Sequence, residues 1–164
     1  KKCRSSTEGK WVDLRALTII AIVSLVIALT SAIYARRSAG SARQANRIAI
    51  HQERLKIYKA LLSHVSALSA QGVALRKDEV WQFYEPAILS KFYFKPAYSE
   101  KLIQIFDDSI SLIVRKAEWE DTTSMSQEAL QELVRETHAL HRATRDSARK
   151  LVQDLEPELV VNHA

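Results

Sequence analysis

A pair of histidines, His138 and His141, is the arrangement in this sequence that comes nearest to a metal site. A spacing of three residues brings two side chains close together on a helix, and imidazole is a common metal ligand. A metal centre needs further ligands, however, and the Glu-x-x-His pattern that supplies them in helical bundles is missing. We therefore expect neither a metal nor any other cofactor.

Motifs of enzymes are also missing from the sequence. It contains no glycine-rich phosphate loop, no nucleophile elbow and no spaced Cys/His cluster. Its carboxylates are spread along polar helix faces and are not paired beside an apolar segment, as acid–base catalysis by two carboxyl groups requires. We therefore predict a protein that is not an enzyme and has no catalytic residues.

Aromatic residues are concentrated in one short part of the chain, from Trp81 to Phe106. We expect most of these rings to fill the core of a small domain. One short helix cannot turn all of them inward, however, and exposed aromatic side chains often dominate protein interfaces. Four residues are therefore candidates for contact with an unidentified protein partner: Trp81, Tyr84, Phe92 and Tyr93.

Basic side chains recur at helical spacing along the last predicted helix. Such a row can bind anionic lipid headgroups or nucleic-acid phosphates. Glutamates occupy the first half of the same helix, however, and acid at the start with base at the end matches the helix dipole. We therefore expect a solvated face and no nucleic-acid partner. The row consists of Arg135, His138, Arg142, Arg145 and Arg149.

An uninterrupted apolar run extends from Ala16 to Ala35, without a charge, a proline or a glycine. At about 1.5 Å per residue, a helix of this length covers roughly the 30 Å of hydrocarbon in a bilayer. A cleaved signal sequence has a shorter apolar core and a small-residue cleavage site, whereas this run passes directly into arginines. We predict a single transmembrane helix that is retained as an anchor.

The charges that flank the predicted span are nearly balanced. Positive residues close to a span favour the cytoplasmic side, and the pair nearest to the bilayer is Arg36 with Arg37. We therefore predict that the C-terminal domain is cytoplasmic, with the periplasmic side as the alternative. Arg36, Arg37 and Arg43 are candidate contacts with lipid headgroups.

Small residues recur at every fourth position within the span, at Ser24, Ala28 and Ala32. A face of this kind lets two transmembrane helices pack closely. Small residues are frequent in any span, so the same spacing also arises without a packing partner. We keep these three residues as candidates for span packing in a homo-oligomer.

Only three glycines and three prolines interrupt the sequence, and no segment shows the alternation of a strand. We predict an all-α fold in which one N-terminal transmembrane helix is followed by a three- or four-helix antiparallel bundle. The predicted ranges are a basic flank at 1–15, the span at 16–35, a juxtamembrane stalk at 36–47, the bundle at 48–156 and a tail at 157–164.

Local signals predict the ends of the helices that follow the span. Gly72 is expected to end the first helix, Asp78 to cap the second and Pro96 to begin the third. Ser124 with Gln127 resembles a capping box for the fourth helix.

The segment between the span and Gly72 carries two further signals. Gly40 and its small neighbours predict a flexible joint at 38–41. Ile48, Leu55 and Leu62 recur every seven residues, which predicts an apolar stripe of the kind found in coiled coils or in the core of a helical bundle.

The segment from Arg47 to Leu62 resembles a recurrent segment of uncharacterised bacterial single-pass membrane proteins, in which an arginine-leucine-x-x-tyrosine helix follows the span. In those proteins a phenylalanine-x-phenylalanine turn leads into another helix, and Phe92–Phe94 followed by the helix from Tyr98 to Ile105 is similar. The resemblance implies a bacterial inner-membrane location and a helical cytoplasmic domain. It carries no known activity.

Together these features predict a membrane-anchored helical adaptor or accessory subunit that contacts membrane lipid and a protein partner. One alternative is a cell-envelope protein with an exported helical ectodomain, similar to the inner-membrane half of a phage spanin. Another is a helical bundle that binds a small ligand or a lipid, with the aromatic residues lining a cavity. The orientation of the chain in the membrane distinguishes the first two hypotheses. The third requires that the aromatic rings line an open cavity and do not fill the core.

Overall fold

The computed structural model describes residues 8–121 and 125–159, with side chains from Leu17 onward. Within these ranges the chain is helical and contains no strand, which confirms the all-α prediction. The helices are α1 Glu8–Gln71, α2 Lys77–Tyr93, α3 Pro96–Glu120 and α4 Gln127–Leu155, with single 3₁₀ turns at Gly72–Ala74 and Glu156–Leu159. The chain divides into two compact units, Lys1–Arg47 and Ile48–Ala164.

The apolar part of α1 is the one described segment that is long and apolar enough to cross a membrane, by length and composition. Every side chain from Leu17 to Arg47 is exposed. The hydroxyl of Thr30 donates to the carbonyl of Val26 at 3.0 Å and to that of Ile27 at 2.9 Å. Because its own helix satisfies this hydroxyl, the residue suits a hydrocarbon environment that offers no water.

The segment at 38–41, which the sequence predicts to be a flexible joint, is instead helical and lies inside α1. A single glycine within a helix costs about 1 kcal/mol relative to alanine. The flanking alanines and arginines are good helix formers, and their preference outweighs one glycine. The prediction of a joint at Gly40 is therefore wrong.

The part of α1 in the second unit buries a different face from the predicted heptad. Its buried side chains are Ile57, Leu61, His64 and Leu68, at spacings of four, three and four that mark one helix face. In the predicted stripe, Ile48 and Leu62 are exposed. Leu61 and Leu62 are adjacent apolar residues about 100° apart around the helix axis. Only packing against the other helices decides which of the two is buried.

The turn from α1 to α2 depends on Gly72, whose φ of 62° lies in the left-handed region that favours glycine. The preceding residue, Gln71, bridges this turn. Its amide nitrogen donates to Glu79 Oε2 at 2.6 Å, and its amide oxygen accepts the backbone N–H of Arg76 at 3.2 Å. The prediction that Gly72 ends the helix is confirmed.

Of the three predicted helix starts, the one at Pro96 agrees with the structure and the other two differ from it. Pro96 is the first residue of α3, as predicted. The N-cap of α2 is Arg76, and Asp78 lies inside the first turn, where its carboxylate pairs with Arg76 at 3.3 Å. An acidic residue at that position still suits the helix dipole, which is why it resembles a cap in the sequence.

Ser126 caps α4, because its hydroxyl accepts the backbone N–H of Ala129 at 3.3 Å. The predicted capping box began at Ser124, which lies outside the described residues. Serine at either position satisfies the same local rule. The actual cap is the residue directly before Gln127, the first residue of α4.

The helices of the second unit share one core, in which α3 contacts both α2 and α4. Small hydroxyl residues occupy several of its central positions. Their hydroxyls donate to carbonyls of their own helices, as Ser90 does to Ala87 and Thr144 to Leu140. These polar groups are thereby satisfied, and they allow neighbouring helices to approach closely. The largest apolar side chains that are fully buried in this core are Leu61, Leu68, Phe83, Leu102, Ile105, Leu112, Leu151 and Leu155.

Substitution of Gly72 should show that the α1–α2 turn needs a glycine. No atom lies within 4 Å of a Cβ built there, so Gly72→Ala adds backbone strain alone, and we expect a loss of about 1 kcal/mol in the free energy of unfolding. Gly40→Ala is the matched control, because the same substitution within a helix is neutral or stabilising. Urea unfolding of the full chain in detergent, followed by circular dichroism, measures both. Equal stability of the two variants would contradict the role given to Gly72.

Candidate functional site

The structure divides the aromatic residues between the core and the surface. Phe83, Phe94 and Phe106 are buried, and Tyr93 and Tyr98 are half-buried. The other three side chains are exposed: Trp81 at 49%, Tyr84 at 43% and Phe92 at 70%.

Trp81 and Tyr84 form a cluster with Phe106. Their spacing of three residues brings Trp81 and Tyr84 together on α2, with ring centroids 5.5 Å apart. Phe106 on α3 lies beneath both rings, 5.7 Å from Trp81 and 5.2 Å from Tyr84. The tilted and edge-on contacts are favourable for aromatic pairs and hold the two exposed rings in fixed positions.

The end of α2 carries the other two candidate contact residues. Phe92 is in contact with Lys91, whose Nζ lies 5.2 Å from the ring centroid. Tyr93 is half-buried, and its backbone carbonyl accepts a hydrogen bond of 2.7 Å from Arg54 Nε on α1. Tyr93 therefore helps to fix α2 to α1, whereas Phe92 remains available at the surface.

Together with Ile88, the exposed rings follow one side of α2. We call this set the α2 stripe: Trp81, Tyr84, Ile88 and Phe92. Its spacings of three, four and four residues correspond to one helix face about 16 Å long. The inward face of the same helix has its own set at similar spacing, which consists of Val80, Phe83, Ala87 and Ser90. α2 therefore has mainly apolar and aromatic side chains on two sides, one that faces the core and one that faces outward.

The candidate residues of the first unit all lie on the surface of α1. Arg36, Arg37 and Arg43 are exposed, as lipid-headgroup contacts require. Ser24, Ala28 and Ala32 are exposed as well.

The two histidines that resembled a metal pair have different surroundings. His141 is buried, and its Nε2 donates to the carbonyl of Leu68 at 2.8 Å, since a carbonyl oxygen can only accept. His138 is exposed, with its ring centroid 6.1 Å from that of Trp119. Among the described residues, no group of three or more His, Cys, Asp or Glu side chains could hold a metal ion.

The basic row of α4 forms local surface contacts. Arg135 pairs with Glu132 at 2.6 Å and Arg145 with Asp146 at 3.0 Å. Arg149 donates to the hydroxyl of Ser69 on α1 at 3.1 Å. The first two are exposed ion pairs, each of which contributes little to stability, and the third is a hydrogen bond to a neutral hydroxyl.

His64 is a buried residue that the sequence interpretation missed. Its Nε2 lies 2.9 Å from Ser109 Oγ, and its ring stacks on Phe83 at a centroid distance of 4.5 Å. Because Ser109 donates its hydroxyl proton to the Ile105 carbonyl, its oxygen must accept from His64 Nε2–H. His64 is therefore the Nε2–H tautomer, and its Nδ1 carries a lone pair.

Nδ1 of His64 is buried and has no hydrogen-bond partner among the described residues. Burial lowers the pKa of His64 from 6.5 to about 4, because the charged form loses its hydration. A signal for this residue does exist in the sequence. His64 lies three residues after Leu61 and four before Leu68, so it occupies the apolar face of the helix.

A pocket of about 410 Å³ opens beside His64, between α1 and α2. Its walls combine small residues of α1 with polar residues of α2. Of the aromatic residues between Trp81 and Phe106, only Phe83 lines this pocket. The lining consists of Ala60, Ser63, His64, Ser66, Ala67, Ala70, Gln71, Glu79, Gln82 and Phe83.

Protonation of His64 should destabilise the folded chain. Its pKa is about 4 when folded and 6.5 in the reference state, so the unfolded chain binds the additional proton as pH falls between these values. The stabilisation that depends on neutral His64 is therefore complete above pH 6.5, and on the order of 3 kcal/mol of the free energy of unfolding is lost by pH 4. Urea unfolding of the full chain in detergent across this range measures the loss. His64→Gln should reduce it, whereas His138→Gln should not.

A direct titration of the ring checks the same prediction without a variant. Nitrogen-15 spectra of labelled histidine should show His64 as the neutral Nε2–H tautomer at pH 5.5. A His64 ring that is protonated at that pH would contradict it.

No protein-family model, no curated protein and no solved structure matches this chain. The resemblance to bacterial single-pass membrane proteins therefore stays a prediction from the sequence.

Proposed function

We propose that this chain is a non-enzymatic adaptor that a single transmembrane helix anchors in the bacterial inner membrane. Its C-terminal domain, an antiparallel helical bundle at 48–156, would lie in the cytoplasm and bind a partner protein. The α2 stripe is the proposed contact surface. The observation that carries this proposal is the exposure of Trp81, Tyr84 and Phe92 on one face of one helix.

The α2 stripe has the composition and position of a protein contact. Trp and Tyr are among the residues that contribute most to binding free energy, because they bury a large area with few rotatable bonds. Trp81 and Tyr84 are already held in place by Phe106, which reduces the entropy that binding would cost. A row at helical spacing fits the apolar face of an amphipathic partner helix.

The anchor strengthens such a contact. Attachment to the bilayer confines the domain and a membrane-associated partner to a thin layer, which raises their effective concentration. A modest interface is then sufficient. Arg36, Arg37 and Arg43 support this arrangement, because exposed arginines next to a span attract anionic lipid headgroups.

The exported-ectodomain hypothesis uses the same anchor with the opposite orientation. The helical domain would then meet its partner in the periplasm. Packing of two spans through Ser24, Ala28 and Ala32 is compatible with either orientation.

Cys3, the only cysteine of the sequence, reports the orientation. If the C-terminal domain is cytoplasmic, a membrane-impermeant maleimide should label Cys3 in intact spheroplasts. Cys3→Ser combined with Ser111→Cys is the matched control, because Ser111 is exposed on α3 and should be labelled only after lysis. Resistance of the chain to alkaline extraction checks that it is integral. The reverse labelling pattern would support the exported ectodomain instead.

Crosslinking in native membranes, followed by mass spectrometry, tests the contact surface. Trp81→Ala and Phe92→Ala should lose the same crosslinked partner, because both shorten the α2 stripe. Val114→Ala is the control, since Val114 is a similarly exposed apolar residue on α3. Circular dichroism should show that all three variants remain folded.

An unchanged crosslink pattern in the two α2 variants would contradict the proposed surface. Loss of the partner in the Val114 variant as well would show that the contact is not confined to the α2 stripe.

A further inference from the structure

We propose that a second surface of the domain, along the outer side of α1, binds an acidic amphipathic helix of another protein. Its apolar part is a set that we call the α1 row: Ile48, Leu55 and Leu62. The α1 row and the α2 stripe share no residue, so this inference is independent of the contact proposed for α2. It rests on the exposure of the row, on its spacing and on the positive charges beside it.

The α1 row does not belong to the core-facing side of its helix. Ile48 is 51% exposed and Leu62 is 41% exposed, and Leu55 is half-buried. Leu62 lies about 100° around the helix axis from the buried Leu61. α1 therefore has one apolar side that the domain buries and another that it leaves largely open. An open apolar surface of this kind, with polar residues beside it, is typical of a protein contact.

The spacing of the α1 row fits a second helix. Its members are seven residues apart, and the half-buried Tyr58 lies between Leu55 and Leu62 at the intervals of three and four that form a coiled-coil seam. The row is about 21 Å long, a length that a partner helix of roughly two heptads covers. A peptide that adds a strand would need an open sheet edge, which α1 does not offer.

Positive side chains lie beside the α1 row and at its end. Lys59 is four residues after Leu55 and three before Leu62, so it is a neighbour of both on the helix surface. Ser69 lies seven residues after Leu62, and its hydroxyl accepts from Nη2 of Arg149 on α4 at 3.1 Å. Lys59 and Arg149 are exposed, and neither has an ion-pair partner among the described residues.

These charges favour an acidic partner over a second copy of this chain. In the part of α1 at 48–71, Glu53 is the one acidic residue, and it already pairs with Lys56 at 2.5 Å. A second copy that packed its own α1 row here would bring two Lys59 side chains together, and like charges beside a helical seam are unfavourable. Glutamates beside the apolar row of another helix would instead pair with Lys59 and Arg149, and such flanking charges determine the choice of partner.

Fluorescence anisotropy of a labelled peptide, titrated with the full chain in phosphatidylcholine nanodiscs, tests the proposal. The probe is a designed helix of roughly three heptads with leucine at both core positions and glutamate at both flanking positions, so its own copies repel each other. It should bind saturably, with empty nanodiscs as the blank. The matched peptide with lysine at the flanking positions should bind at least about tenfold more weakly.

Two variants place the binding on the α1 row. Lys59→Glu reverses the charge beside the row and should weaken binding of the acidic peptide at least about tenfold, because like charges across an interface cost affinity. Lys77→Glu is its matched control, since Lys77 is exposed on α2. Leu62→Ala shortens the row and should also weaken binding about tenfold, whereas Val114→Ala, at an exposed apolar residue of α3, should not. Circular dichroism should show that all four variants remain folded.

No saturable binding of the acidic peptide, equal binding of the two peptides, or unchanged binding in Lys59→Glu or Leu62→Ala would each overturn the proposal. Sedimentation that shows a dimer of the wild type and a monomer of Leu62→Ala would assign the α1 row to a second copy instead. Displacement of the peptide by short-chain phosphatidylglycerol, but not by short-chain phosphatidylcholine, would assign the cations to lipid headgroups. Trp81→Ala should leave the peptide bound, so the result does not depend on the α2 stripe.

Discussion

The hydrogen bond from His64 Nε2 to Ser109 Oγ joins α1 to α3 inside the core, and the stacking of the same ring on Phe83 adds α2. A second buried histidine, His141 on α4, donates to the Leu68 carbonyl near the end of α1. Leu68 lies in the last turn of α1. These directional contacts fix the rotation of α1 about its own axis, which apolar packing alone specifies less sharply. The buried face of α1 and the pocket beside it both depend on that rotation.

The same arrangement explains why two different surfaces remain open on α2. Its inward face packs against the core through Val80, Phe83 and Ala87, and this contact turns Trp81, Tyr84 and Phe92 outward. On the side toward α1, the small residues Ala60 and Ala67 leave space that larger ones would fill. A helix with a single apolar face can bury that face against the core of its own domain. α2 has a second face with aromatic and apolar side chains, the α2 stripe, and this face points outward. This second face is the surface that we propose for a partner protein.

Several features follow from local chemistry and were predictable from the sequence. The uncharged run from Ala16 to Ala35 gives a helix that is apolar and long enough for a bilayer, whatever the rest of the chain does. Gly72 and Pro96 mark a helix end and a helix start, because their backbone preferences act within a few residues. The prediction of an all-α chain is of the same kind. The expected joint at Gly40 was wrong, because the helix formers around it outweigh one glycine. The expected cap at Asp78 was wrong as well, because α2 begins at Lys77 with Arg76 as its N-cap.

The tertiary structure alone decided which residues of each helix are buried. Leu61 and Leu62 are chemically identical neighbours, and only the packing of α2, α3 and α4 buries the first and leaves the second exposed. The aromatic segment is similar, since Phe83 enters the core while Trp81 and Tyr84 stay at the surface around Phe106. The pocket, with Glu79 from α2 and His64 from α1, joins residues fifteen positions apart in the sequence. Sequence periodicity identifies helices and their apolar content, but burial depends on contacts between helices, which no local pattern contains.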